Sequence, residues 1–396
     1  MGHWAKTRLF REVTQGLRSH VRNRVTTRMG EKRIAVIGAG VIGLSSTMHL
    51  IANLEKDNIR HVVDVYASEF TPNTTSDGAA GLWEPLLCGS KTPVEQVDHW
   101  GRETYTWLRY LRKKDIAGEI GVAQYSGYNL FSAEEFDGDP FWKDSVIGYR
   151  RAVPAEWEGI DMNLTVGYYF VSMMVQGNRY CKWLTESLRR RSAIQFYQRK
   201  ILSLSEFSGK YDLVLNCTGI GSHDLLNDHK VYPVRGQIMK VEAPWIKNFT
   251  VAMTEGEVAY VIPCVDHVVI GGTMQDGNWS TESSPIDRAS ILEKCYRLEP
   301  SLKNARIVGE WTGLRPTRQE CIRLEREQWN CSATSSSLQV VHNYGHAGGG
   351  LSLHWGCAAD ATDLAYQALG IVRRPSLERD YAYQFLQSDS HLSSRL

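Results

Sequence analysis

The chain has no CxxC pair and no cysteine–histidine spacing that would build a zinc site. Its eight cysteines (Cys88, Cys181, Cys217, Cys264, Cys295, Cys321, Cys331, Cys357) are scattered, several of them in apolar runs. A zinc-stapled fold is thereby excluded, and reduced, buried thiols are the expectation. An excess of one charge is also lacking. The 45 Lys+Arg and 44 Asp+Glu leave a net charge of +1, which gives no electrostatic case for a nucleic-acid partner. Apolar runs fall well short of the roughly 20 residues a membrane span needs, and no internal repeat is visible. What is present is 396 residues, 42% hydrophobic and 22% charged, enough for two domains and a large core. Twelve Trp and eighteen Tyr are many for this length. They point to an aromatic core or to a pocket for something flat.

The two ends differ from the body. Residues 1–29 carry Lys6, Arg8, Arg11, Arg18, Arg22, Arg24 and Arg28 against the single acid Glu12. Residues 1–30 are read as a basic extension, with Met29 as a natural start, in preference to an organellar transit segment. The chain stops at Ser394-Arg395-Leu396, a conservative variant of the S-K-L signal. The expectation is residence in the peroxisomal matrix, reached through the import receptor that reads this terminus.

Arg33–Ile37 reads as a buried strand, Gly38-Ala-Gly-Val-Ile-Gly43 as a turn, Leu44–Leu54 as a helix and His61–Ala67 as a second strand. This β-α-β unit opens a doubly wound sheet. An amphipathic helix around 178–191, strands at 194–198 and 212–215, and a closing unit from Leu338 to Leu369 continue it. Between these pieces the period changes. Arg235–Val241, Val258–Ile262 and His267–Gly272 alternate as antiparallel strands do. The expected fold is α/β: a Rossmann-like domain (31–82, 170–222 and 314–372) interleaved with an α+β, antiparallel-sheet domain (83–169 and 223–313), followed by a tail (373–396).

Gly38-x-Gly40-x-x-Gly43, after an apolar strand and opening a helix, is a dinucleotide turn. The first glycine makes the turn, the second admits a pyrophosphate and the third lets helix and strand pack closely. A carboxylate near the end of the second strand should bond the ribose hydroxyls. Glu69 is the nearest, and Asp64 reads as a strand residue facing solvent. The loop Thr74-Thr75-Ser76-Asp77-Gly78-Ala79-Ala80-Gly81-Leu82-Trp83-Glu84-Pro85 offers hydroxyls for phosphate and small residues beside a ring. The segment Val340–Ala358 is a strand, a glycine turn and a helix start, a second place for an anionic or electron-rich partner.

These segments, with GYNLF, NCTG, PVRGQIMKVEAPW, GLRPTR, IRLERE and HNYGHAGGGLSLHWG in the same order, closely resemble the D-amino-acid oxidase and D-aspartate oxidase family from about Arg33 to Asp363. The resemblance implies FAD, a two-domain fold and peroxisomal residence. By position it implies FAD contacts from Gly38, Ala39, Gly40, Val41, Ile42, Gly43, Ser68, Glu69, Thr74, Thr75, Ser76, Ala80, Gly81 and Leu82. It adds Ile201 through its backbone and Ala347, Gly348, Gly349, Gly350, Leu351 and Ser352. The chain departs from the family at Ser68, where an acid is usual, and at Gly78, where an apolar branched residue usually stands beside the flavin.

Oxidising an amino acid requires its Cα–H to be aimed at flavin N5, and an arginine is the best bidentate carboxylate anchor. The resemblance selects Arg315 among several nearby arginines, adds the Tyr260 hydroxyl for the same carboxylate, and assigns the Gly348 carbonyl to the substrate amine. No side chain is expected to act as a general acid or base, and His342, His346 and His354 are expected neither as bases nor as metal ligands. The implied reaction takes a D-amino acid and dioxygen to a 2-oxo acid, ammonia and hydrogen peroxide. Met274 stands where the D-aspartate branch has an arginine, and Glu255 and Glu257 precede Tyr260. Neutral, and also basic, side chains are therefore expected. Three alternatives stand beside this reading: a D-aspartate oxidase using Lys240 or Arg235, an NAD-dependent dehydrogenase, and a non-catalytic FAD- or D-amino-acid-binding protein. A homodimer is left open.

Overall fold

The computed structural model describes residues 30–86, 91–331 and 336–372. The basic extension and the Ser394-Arg395-Leu396 terminus lie outside the described residues. In chain order the main elements are β1 (Lys32–Ile37), α1 (Val41–Lys56), β2 (His61–Ala67), α2 (Val94–Arg112), β3 (Val122–Phe131), β4 (Ile147–Arg151) and β5 (Val166–Val175). They continue with α3 (Gly177–Arg189), β6 (Ile194–Gln198), β7 (Leu213–Asn216), β8 (Val231–Glu242), β9 (Phe249–Thr254), β10 (Glu257–Pro263) and β11 (Val268–Gly271). Last come β12 (Gln275–Asp276), α4 (Pro285–Leu298), β13 (Arg306–Arg318), β14 (Arg323–Cys331), β15 (Ser336–Tyr344) and α5 (Gly350–Ala368).

Two sheets result. The first runs β14-β15-β7-β1-β2-β6 and is parallel apart from β14. Its central strand is apolar on both faces because both are covered. Ile34 and Val36 pack toward α1 and α3, while Ala35 and Ile37 pack toward Phe207, Val214 and Val340. Helix α1 is buried nearly all round, and its polar residues are satisfied inside. Ser45 meets His354 at 2.9 Å, His49 meets Thr362 at 2.8 Å, and Ser46 accepts from Asn343 at 3.1 Å. Two of these three bonds tie the first long helix to the last.

The second sheet runs β12-β8-β11-β10-β9-β3-β5-β4, with β13 along the other edge of β8. Its neighbours are antiparallel except for β3 with β9. The period of two decides which residues face what. Met239, Ala252, Ala259 and Val261 turn toward α4, where Ile291, Cys295 and Leu298 complete a core. Their sequence neighbours Ile238, Val251, Met253, Tyr260 and Ile262 turn to the opposite face and line a cavity. Helix α4 starts at a Ser284 cap, which accepts from the Asp287 amide at 3.3 Å, with Pro285 in the first turn.

The chain passes between the sheets four times: between β2 and β3, β5 and β6, β7 and β8, and β13 and β14. Strands β5 and β13 each lie wholly in the second sheet. The expected domain edges at 169/170 and 313/314 therefore fall inside single strands. The strand is the unit the hydrogen-bond ladder keeps intact.

Candidate active site

At the head of the first sheet the glycine turn does three different things. Gly38 sits at φ +111, where a Cβ would lie 2.3 Å from the Cys217 carbonyl oxygen. Gly43 faces the turn itself, and a Cβ there would be 2.0 Å from the Gly38 oxygen. Gly40 instead opens to the cavity, and its only near neighbour is Ser76 Oγ, 3.2 Å from an added Cβ. Helix α1 then begins with no side-chain cap. Ser76 Oγ accepts the Val41 amide at 3.0 Å and ties the hydroxyl loop to the turn. Thr74 bonds Asp77 at 2.6 Å, and Thr75 donates to the Leu314 carbonyl at 3.3 Å. These hydroxyls thus shape the loop as well as line the cavity.

At the end of β2, Ser68 and Glu69 are exposed at the cavity wall, and Asn73 reaches the Glu69 carboxylate at 3.5 Å. Asp64 is turned elsewhere and accepts from Tyr211 at 2.5 Å. It is half-buried rather than facing solvent, because Tyr66 and Tyr211 cover that face.

The closing turn enters from the other end of the chain. Gly345 (φ +91) and Ala347 (φ +47) bend β15 into α5, whose first turn also lacks a side-chain cap. Ala347, Gly348, Gly350, Leu351 and Ser352 line the cavity. Gly349 is buried behind them, and Gly43 likewise supports its turn from behind. Ala39, Val41, Ile42, Ala80, Gly81, Leu82 and Ile201 all reach the cavity wall.

The second sheet supplies the opposite wall. Glycines clear a floor there: Cβ atoms at Gly271 and Gly272 would touch the Tyr260 hydroxyl at 2.5 and 2.4 Å. A Cβ at Gly236 would lie 2.4–2.6 Å from the Arg315 guanidinium. Arg315 Nη1 donates to the Thr273 carbonyl at 3.1 Å, and no carboxylate pairs with it among the described residues. Burial raises the Tyr260 phenol pKa, and the adjacent Arg315 guanidinium acts the other way. Tyr260 and Arg315 thus converge on one spot with their hydrogen-bonding capacity largely unspent. Met274 lies at the same wall, 47% exposed.

One cross-strand row orders this wall. Tyr168, Asn129, Val251, Tyr260, Gly271, Ile238 and Trp311 stand directly opposite one another on successive strands, so their side chains share a face. Trp311 was not anticipated. Its indole lies on Gly78, where an added Cβ would fall 1.8 Å from Cδ1 and Nε1. It fills the space a branched residue at position 78 would take, and its Nε1 is buried without a partner. Glu84 was not anticipated either. It lines the cavity and accepts from Asn129 Nδ2, and burial pushes its carboxyl up to about 8 against that bond. No periodicity marks these two residues, because each is defined by a neighbour far away in sequence.

The three histidines of the closing segment are buried. Desolvation pushes His342 down to about 4 and His346 and His354 to about 3, so all three are neutral at pH 7. Among the described residues no group of His, Cys, Asp or Glu gathers as a metal site. The cations the acidic-substrate alternative would use are also placed. Arg235 is 2% exposed and is held by Asp287 at 2.6 Å, Gln237 at 3.0 Å and the Glu282 carbonyl at 2.6 Å. Neither Arg235 nor Lys240 lines the cavity.

The cavity measures about 1360 Å³, more than one small ligand usually occupies. With a dinucleotide turn at one end and an arginine–tyrosine pair at the other, it suits a redox cofactor and a small acid side by side. The chain belongs to the FAD dependent oxidoreductase family, whose profile it matches over residues 33–364. It is 36% identical to a human D-aspartate oxidase, over 88% of this chain and 98% of that protein. It is 35% identical to a D-amino-acid oxidase of Rubrobacter xylanophilus, over 85% and 97%. Among solved structures, glycine oxidase from Geobacillus kaustophilus shares the fold, with a TM-score of 0.67 and 18% identity over 88% of this chain and 97% of that one.

FAD is the cofactor, and the residues present fit it. Gly40 leaves room for a pyrophosphate at an uncapped helix start. Glu69 is exposed at the cavity wall, where its carboxylate could accept from ribose hydroxyls, while Gly78–Leu82 and Trp311 form an apolar wall for a ring.

Proposed function

We propose that the protein is a D-amino-acid oxidase that prefers neutral and basic side chains. The observation that carries this reading is the Arg315–Tyr260 pair, set over its glycine floor in the cavity that holds the dinucleotide turn. A guanidinium without a carboxylate partner, beside a phenol, is an anchor for the α-carboxylate of a substrate. The Gly348 carbonyl, across the cavity, accepts from the amine. Held at three points, the substrate has one hydrogen directed at the flavin, which favours one enantiomer. When bound, FAD would supply the two-electron acceptor for that hydride, with dioxygen as the final oxidant and hydrogen peroxide as its product. The chain's own residues orient and desolvate, and the buried histidines, with pKa values lowered to about 3 to 4, are weak bases that stay neutral. The imine product hydrolyses to a 2-oxo acid and ammonia.

Acidic side chains are disfavoured because Met274 and Glu257 at the wall offer no cation, Glu255 lies exposed outside the cavity lining, and Arg235 is sequestered. An unpaired carboxylate in that chamber would be costly. Likeness to human D-aspartate oxidase supports the alternative, in which acidic substrates are accepted. The Ser394-Arg395-Leu396 terminus supports import into peroxisomes, where the peroxide would be contained.

The test is a hydrogen-peroxide assay of the purified protein with D- and L-amino acids. D-Ala, D-Met and D-Arg should be oxidised and the L-forms not. A higher kcat/KM for D-Asp than for these would establish the alternative. In cells, removal of the last three residues should shift a peroxisomal signal to the cytosol.

A further inference from the structure

Glu84 takes no part in the chemistry just described, yet it sits where a side chain would end. It follows Leu82, whose neighbourhood lines the flavin wall, and its backbone is fixed by Ser352. Ser352 Oγ lies 3.0 Å from both the Glu84 amide and its carbonyl. Its carboxyl is placed over the sheet by Asn129, which is wholly buried and donates to it. Asn129 stands opposite Val251, and Val251 opposite Tyr260. Glu84 is thus two strand spacings, roughly 10 Å, along the row from the carboxylate anchor. The apolar Val251 lies between them.

We infer that Glu84 is a specificity-determining residue that receives the cationic end of a long basic D-amino acid, of the lysine or arginine class. This deepens the preceding reading and rests on it. Methylenes would lie along Val251 while the ammonium or guanidinium meets the carboxylate. No cation pairs with Glu84 among the described residues. Burial favours the neutral acid of Glu84, and a bound cation would draw it to the carboxylate by supplying the opposite charge. The other groups facing it are Tyr168 from β5 and Asn129 from β3, both uncharged at neutral pH. The chamber mouth has the same sign. Among the described residues Glu135 and Asp137, in the β3–β4 connection, line it without an ion partner, Asp139 beside them pairs with Lys143 and Arg151, and Glu257 is held only at 3.5 Å by Arg297. Among the described cavity-lining residues Arg315 is the basic side chain of this end, with Arg297 and Lys294 behind the wall; Arg199 and Lys200 belong to the β6 end, beside Glu206 and Asp224.

The experiment compares FAD-loaded wild type and Glu84→Gln, with D-Arg and D-Met as substrates. 6-Aminohexanoate and hexanoate serve as non-oxidisable ligands, titrated by their perturbation of the flavin absorbance. The D-Arg to D-Met ratio of kcat/KM should fall roughly 30-fold or more in the variant. The loss should appear in KM for D-Arg. Wild type should bind 6-aminohexanoate at least about tenfold more tightly than hexanoate, and the variant should lose that preference. Glu84→Met, of similar volume, gives the same comparison if the glutamine variant does not load FAD. A ratio unchanged within about twofold, or tighter hexanoate binding in wild type, overturns the role of Glu84 alone. Absence of turnover with every D-amino acid overturns the oxidase reading itself.

Discussion

Valine at position 78 and alanine at position 311, made singly and together, should show strong non-additivity. The structure sets the size of each effect. A Cβ at Gly78 would stand 1.8 Å from two indole atoms, and Trp311 is held by Ile238, Met174 and Tyr260 around it. Gly78→Val therefore overpacks a site that cannot give, at a cost of about 1–3 kcal/mol. Trp311→Ala removes a large, half-buried side chain from the cavity wall at the same place, at about 2–3 kcal/mol. In the double variant the valine enters the vacated space, so the combined loss should fall short of the sum by about 2 kcal/mol or more. Urea denaturation of FAD-free protein, followed by circular dichroism, measures the three differences. Flavin fluorescence gives the FAD Kd of each. The double variant should bind FAD more tightly than either single one, since a branched residue again backs the ring. If the two losses add within about 0.5 kcal/mol, the two positions do not share a space and the reasoning fails.

Other changes have equally direct outcomes. Arg315→Ala should lower kcat/KM for every D-amino acid by roughly 30-fold or more through KM; an unchanged KM would remove Arg315 from the carboxylate site. Arg235→Met should cost about 3–5 kcal/mol by leaving Asp287 buried without its partner, while the D-Asp to D-Ala preference stays as in wild type. A changed preference would mean Arg235 meets substrate after all. Stability of the FAD-free protein should pass through a maximum near pH 6.5. Below it, His342, His346 and His354, depressed to between about 3 and 4, stay neutral in the fold while their unfolded forms take up protons, so stability falls as pH falls. Above it, Glu84 stays protonated up to about 8 while its unfolded form is ionised, so its own contribution falls by about 2 kcal/mol between pH 6.5 and 8, more than the histidines regain over that range. Glu84→Gln should flatten that upper limb, and persistence of the slope would show that another group causes it.

The cofactor half was the more legible in sequence because its signals are local. Strand, glycine turn and helix start follow one another within a dozen residues at both Gly38–Gly43 and Gly345–Gly350, and the β2 strand at 61–67 was read to its ends. The substrate half was legible only where strands alternate cleanly, as in β8 and β10. Helix α2 escaped notice although its two faces are well separated, because its buried seam (Val97, Trp100, Gly101, Thr104, Tyr105, Trp107, Leu108 and Leu111) is rich in aromatic, small and β-branched residues of low helix propensity. Strand β13 escaped because most of its residues are half-buried, so no alternation marks it. Trp311 and Glu84 acquire meaning only through Gly78 and Asn129, and those pairings come from sheet register.

The four passages of the chain between the sheets have a consequence for synthesis. Strand β15 separates β7 from β14 in the first sheet, and α5 covers α1. Both are made last. Until they leave the ribosome, the dinucleotide turn near the start of the chain has half its walls, and the flank of α1 stands bare. Domains ordinarily fold as they emerge, but here neither sheet can close on its own stretch of chain. Flavin capture must therefore follow release of nearly the whole polypeptide. Until α5 is in place, one flank of the apolar helix α1 stays uncovered.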